Sequence, residues 1–238
     1  MENRKGLSSN ILKIIAITAM LTDHIAWAFV EFNSPAGILM HTVGRLTAPI
    51  MCFFIAEGYY HTRSIKKYML RLLCFALISH IPFSLFLSGK IFDLQNLNVM
   101  YTLLIGLCAL WACKNLKDNI SRVIAVIICC IAAMPADWEF IGVLFVLAFG
   151  LNRGNFKKQA LWFSTIAVGT VLVTPLTAVL TGTREYFNLS SAVMLGVLLA
   201  IPVLSLYNGK RGGFKGSKWI FYFFYPAHLL AIALFKML

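Results

Sequence analysis

The chain is poor in charge and poorer still in acid. Of its 238 residues 13% are charged, and nine Asp and Glu stand against 21 Lys and Arg. Soluble domains carry roughly 25% charged and 45–50% apolar residues. Here 60% are hydrophobic, more than the core of such a chain takes up, so the excess must face lipid. No Pro-, Ser- or Gln-rich linker and no internal repeat divides the sequence, which reads as one membrane domain, residues 1–238, without a soluble appendage. Cys52, Cys74, Cys108, Cys113, Cys129 and Cys130 lie in or at the ends of apolar runs. None has zinc-ligand spacing, so they read as small packing residues and no metal is expected. The first apolar run carries Asp23 and His24 and lacks a small-residue cleavage site after it, which argues against a removable signal peptide.

Long apolar runs fill the rest. A hydrocarbon core of roughly 30 Å takes about 20 residues of helix. The candidate spans are Ile11–Val30, Ile38–Tyr60, Tyr68–Leu87, Val99–Cys113, Val123–Pro135, Phe140–Leu151, Ala160–Leu180, Ala192–Leu206 and Trp219–Leu238. The expected fold is all-α, a polytopic transmembrane helical bundle of about nine spans. The runs between Val123 and Leu151 are short, and read either as two short helices around a Pro135–Glu139 turn or as one re-entrant pair.

Basic residues collect on the cytoplasmic side of membrane proteins. Seventeen of the 21 Lys and Arg fall in alternate loops or at the adjoining helix ends, leaving Arg45, Lys90, Arg184 and Lys236 opposite. This places the N-terminus inside and, with nine spans, the C-terminus outside, in the cell (plasma or inner) membrane. The net charge of +12 then records topology, and nucleic acid is not an expected partner.

Ionisable groups within spans are costly and mark function by default. Asp23-His24 lies in the first span, with His24 roughly 20 Å from its cytoplasmic end at 1.5 Å per residue. Arg45, on the second span, lies about 10 Å below the outer surface by the same rise. The shared depth predicts an Asp23–Arg45 ion pair, since an unpaired charge there is expensive. His80, Tyr225 and His228 occupy middle depths beside Pro82 and Pro226, which open the backbone ladder. Together with Asp23, His24 and Arg45 they are candidates for one polar chamber, or for a hydrogen-bond network that ties helices together. On the cytoplasmic side Glu57, His61, Arg63, Lys66, Lys67 and Arg71 cluster at one turn. Glu57 and His61, four apart, share a helix face, and the basic group suits phosphate.

The run Gly44-Arg-Leu-Thr-Ala-Pro-Ile-Met-Cys-Phe-Phe-Ile-Ala-Glu-Gly-Tyr-Tyr-His-Thr-Arg63 resembles the TraX family. So do Asp23-His24-Ile25, Lys67-Tyr-Met-Leu-Arg-Leu-Leu73, Ile78-Ser-His-Ile-Pro-Phe83 and Phe224-Tyr-Pro-Ala-His-Leu229. The likeness runs from the first span to the last, and departs from many members at His80, where a carboxylate is usual. TraX proteins are linked with N-terminal acetylation of pilin, and look distantly like the acyltransferase-three family. The resemblance implies an acyltransferase that takes cytoplasmic acetyl-coenzyme A and acetylates an amine or hydroxyl acceptor, a pilin or other envelope component, at or across the membrane.

The residues suit that chemistry. Transfer from a thioester needs a base for the acceptor and donors for the developing oxyanion. Histidine fits the base, with an ordinary pKa of about 6.5. Helix neighbours point about 100° apart, so Asp23 is assigned to Arg45 and His24 to catalysis. His228 or Tyr225 would orient His24 or hold the oxyanion. Glu57, His61, Arg63, Lys66, Lys67 and Arg71 would hold the coenzyme, whose pantetheine arm spans much of the roughly 20 Å up to His24. The competing expectations are a permease for a small polar molecule and a non-enzymatic envelope assembly protein.

Overall fold

In a computed structural model, which describes residues 6–181, 189–213 and 218–237, the apolar runs fold as α-helices. Among the described residues no strand forms, and only two isolated bridges occur, Leu7 with Tyr207 and Leu97 with Ala136. The helices are α1 Ser9–Phe29, α2 Pro35–Gly44, α3 Thr47–His61, α4 Ile65–Ser88, α5 Val99–Asn115, α6 Asn119–Ala133, α7 Glu139–Leu151, α8 Phe156–Thr181, α9 Leu189–Met194, α10 Ala200–Ser205 and α11 Lys218–Met237. A 3₁₀ stretch, Leu195–Leu199, joins α9 to α10. Large apolar side chains such as Ile14, Leu77, Ile127, Ile131, Leu172 and Phe235 are more than half exposed. Exposed apolar surface on this scale has no place in water and fits lipid. The chain is a helical membrane bundle. Ser9–Phe29, Pro35–His61, Ile65–Ser88 and Trp219–Met237 are each long and apolar enough to cross a bilayer.

Two expected spans are not single helices, and in each the irregular stretch contains the carbonyl four residues before a proline. The second breaks at Arg45-Leu46 into α2 and α3. Pro49 lacks an N–H, and its ring collides with the carbonyl four residues earlier, that of Arg45. The eighth tightens into the 3₁₀ stretch Leu195–Leu199, whose Leu198 carbonyl lies four residues before Pro202. The short runs between Val123 and Leu151 are two helices, α6 and α7. Their turn is pinned to the start of α5. Leu97 N–H donates to Pro135 O at 2.7 Å, Asp137 N–H donates to Leu97 O at 2.7 Å, and Thr102 Oγ donates to Asp137 O. Trp138 and Glu139 then enter α7 at φ 67° and 40°, a region that non-glycine residues seldom occupy.

The chain forms two compact units, one from Met1–Ile50 and Ala160–Ser217, the other from Met51–Gln159 and Lys218–Leu238. In the first, α1 and α2 make a helical hairpin. Ser34 caps α2 by accepting from Gly37 N–H at 3.0 Å, and Pro35 takes the first helical position, where its missing N–H costs nothing. The foot of α1 is strapped to the segment after α10. Leu7 N–H donates to Leu206 O, Ser9 N–H to Lys210 O, and Asn10 Nδ2 to Gly212 O, at 2.8, 2.9 and 3.0 Å.

The second unit is built on most of α3 with α4, α5, α6, α7 and α11. Tyr222 of α11 stacks on Phe75 of α4, and Lys236 stands over Phe86. The two helices therefore run parallel, and His80 and His228 share a level. Helices α5 and α7 also run parallel, in a fixed register. Thr102 fills the space at Gly142, Val146 that at Gly106, and Leu110 that at Gly150. In lipid, where no hydrophobic force draws helices together, such small-residue contacts carry the packing.

Candidate functional site

The first unit holds a buried acid–base pair. Asp23 lies fourteen residues into α1, about 21 Å at 1.5 Å per residue. Its Oδ1 stands 2.7 Å from His41 Nδ1 on α2. Arg45 Nη2 approaches the same oxygen at 3.8 Å. The inferred Asp23–Arg45 contact is present, but the nearer partner is a histidine. Helix α2 brings His41 and Arg45 to one face because they are four apart. Gly44 lets it come close enough, since a methyl there would overlap Cβ and Cγ of Asp23.

The contact fixes the histidine's tautomer. An ionised carboxylate only accepts, so His41 Nδ1 carries the proton and donates it to Asp23. The lone pair of the neutral ring is then on Nε2. That atom is buried and has no hydrogen-bond partner among the described residues. The ring itself is 0% exposed, with Trp27 and Phe32 each 4.9 Å away by centroid. A carboxylate and an oriented imidazole with an unpartnered Nε2 make the base half of the arrangement used for nucleophile activation. His24 follows Asp23 on α1 and is half-buried. The carboxylate contacts His41 from across the hairpin. Sequence reading passed His41 over. The signal was its spacing from Arg45, because a depth argument made for one applies to the residue one turn away.

In the second unit His228 Nδ1 donates to Phe224 O at 2.8 Å. A carbonyl only accepts, so a neutral His228 also presents a lone pair at Nε2. It is thus set as an acceptor, and the expected oxyanion donor would have to be a protonated ring or Tyr225. The Tyr225 hydroxyl is buried without a partner among the described residues, as are His80 Nε2, Ser79 Oγ and Ser84 Oγ.

The cluster expected on the cytoplasmic side divides. Glu57 and His61 share a face as expected, but the cation they meet comes from beyond α7. Arg153 forks onto Glu57, with Nε to Oε1 2.8 Å and Nη2 to Oε2 3.2 Å. Its Nη2 also donates to His61 Nε2 at 3.0 Å. Because arginine only donates, this makes His61 Nε2 an acceptor, and the 3.3 Å approach of Glu57 to it is proximity across the shared guanidinium. Arg71 turns away from the cluster. It donates to Tyr222 Oη at 3.1 Å and lies over the rings of Tyr68 and Tyr222. Arg63, Lys66 and Lys67 are exposed. Beside Glu57 a cavity of about 460 Å3 opens, lined by Glu57, Tyr60, Lys114, Leu151, Arg153 and Gly154. Among the described residues no group of three His, Cys, Asp or Glu could hold a metal.

Comparison with known proteins gives two matches. A family model described as "TraX protein" matches residues 8–236. A protein of Dichelobacter nodosus, "Probable fimbrial assembly protein FimC, serogroup H1", is 32% identical over 249 residues, covering 100% of this chain and 99% of that one. No solved structure matches.

Proposed function

The chain belongs to the TraX family, and from that premise we propose that it is a membrane-embedded acyltransferase. It would move an acetyl group from cytoplasmic acetyl-coenzyme A to an amine or hydroxyl of a pilin or other envelope component. The relative's name speaks of fimbrial assembly, which supports an acceptor of that kind. The observation that carries the reading is the Asp23–His41 pair with its buried, unpartnered Nε2. In the proposed step Nε2 takes the proton of the acceptor's N–H or O–H as its lone pair attacks the thioester carbonyl. The C–S bond breaks, coenzyme A leaves as thiolate, and the imidazolium returns the proton to yield the thiol. Asp23 holds the imidazolium through its contact with Nδ1, and Arg45 shares the same carboxylate oxygen. His24 is the competing base, and one pair of variants separates them. Donor binding falls to the cytoplasmic side, where Glu57, His61, Arg63, Lys66 and Lys67 lie, with Arg71 held by Tyr222.

The rival permease reading draws on the unpartnered polar atoms of the second unit, since buried groups of this kind line polar paths. Purified protein supplied with acetyl-coenzyme A and an envelope fraction decides between them. Release of free coenzyme A with label appearing in an envelope component supports the transferase. No release, with uptake of a small polar solute into vesicles, supports the permease.

A further inference from the structure

The cytoplasmic cavity of the second unit has a charge pattern that selects a ligand. At about 460 Å3 it falls within the roughly 300–1,000 Å3 of small-molecule sites. Its one acid is already engaged, because both Glu57 oxygens face Arg153. Lys114 has no such counterion. Its Nζ stands 5.9 Å from the centre of the Tyr60 ring, and among the described residues it meets no carboxylate. The lining therefore holds two cations against one anion, with Leu151 and the Tyr60 ring, over which Arg153 lies 4.7 Å from the centroid, as the rest of its wall. Tyr60 is anchored by its hydroxyl, which donates to Gly150 O at 2.7 Å. Net positive charge beside a fixed ring and an aliphatic side chain fits a phosphate ester attached to a flat base. The exposed Arg63, Lys66 and Lys67 lie outside this concavity.

The geometry points to Lys114, at the end of α5, as the anchor for the phosphorylated nucleotide end of the acyl donor, with Tyr60 and Leu151 forming the wall against which the nucleoside rests. The assignment rests on the acyltransferase reading, but its test needs no acyl chemistry. The probe is adenosine 3′,5′-bisphosphate, titrated by calorimetry against the full chain in nanodiscs of zwitterionic lipid. Wild type should bind. Lys114→Gln should weaken binding about tenfold or more, the size of one charge-assisted hydrogen bond, while Lys114→Arg should restore it. The double variant Lys157→Gln/Lys158→Gln, at exposed lysines outside the cavity lining, should bind within about twofold of wild type, a surface-charge effect. Lys114 is exposed at a helix end, so its exchange leaves the fold intact. Equal binding by wild type and Lys114→Gln, or no binding by wild type, overturns the assignment. So does loss of nucleotide binding when phosphatidylglycerol is added at constant salt, which would give the cavity to lipid headgroups. Intact nucleotide binding without any acetyl transfer would instead sink the proposed activity and leave this site standing.

Discussion

Exchanging Asp23 for Asn tests the tautomer on which the proposed chemistry depends. The side chain keeps its shape, so Gly44 still fits against it. What changes is the group facing His41 Nδ1 across 2.7 Å. A carboxylate can only accept, whereas an amide can turn its NH2 toward the ring. His41 then carries its proton on Nε2, and the atom that should take a proton cannot. General-base catalysis contributes about 100- to 10,000-fold, which is about 3–5 kcal/mol of barrier, and most of that should vanish. The fold should survive better than after truncation, because Asn retains a hydrogen bond and both side chains keep some solvent contact, 17% for Asp23 and 16% for Arg45. The assay is transfer of labelled acetyl from acetyl-coenzyme A in membrane vesicles, with His41→Ala and His24→Ala run beside it and folding followed by thermal melting. The expected order is a low rate for Asp23→Asn and His41→Ala and a near-normal rate for His24→Ala. A near-normal rate for Asp23→Asn, or loss confined to His24→Ala, would refute the tautomer argument and return the base role to His24.

Gly44→Ala should force α1 and α2 apart at Asp23, lowering thermal stability by about 1–3 kcal/mol as overpacking does and lowering transfer with it; unchanged melting would mean the helices pass less closely than described. Arg45→Met removes one partner of a largely buried ion pair, a change worth about 3–5 kcal/mol when burial is complete. Adding Asp23→Asn should recover part of the lost melting temperature, and strict additivity of the two would show that they do not interact. A topology reporter near Lys157 should be active only in the cytoplasm and one fused after Leu238 only outside it; a cytoplasmic reading at Leu238 would mean an odd number of spans is wrong.

Hydropathy located the helices because lipid demands apolar residues on every face, and such runs show without any periodicity. It could not find the breaks at Arg45-Leu46 and Leu195–Leu199. Pro49 and Pro202 act on carbonyls four residues earlier, so the irregular backbone lies a turn before the proline itself. Depth matching found Asp23 with Arg45 because charge is conspicuous in an apolar run. His41, neutral and unremarkable by composition, was overlooked although it makes the shorter contact. The cluster around Glu57 shows the opposite failure. Nearness in sequence grouped Arg71 with Glu57, whereas the fold gives Arg71 to Tyr222 and brings Arg153, 96 positions away, to Glu57. Contacts across such separations depend on which helices are neighbours, and no local pattern encodes that.

The interlocking of α5 with α7 bears on how the protein is made. At 13 residues α7 is about 20 Å long at 1.5 Å per residue, well short of a hydrocarbon core of roughly 30 Å. It is a poor candidate for stopping in a bilayer unaided. Its seat exists beforehand, because Thr102, Gly106 and Leu110 are synthesised and threaded some forty residues ahead of Gly142, Val146 and Gly150. Helix α5 thus serves as a template that receives α7 as it emerges, and the order of the chain is also an order of assembly. A ribosome halted after Ala133 would leave that template facing lipid, its grooves unfilled.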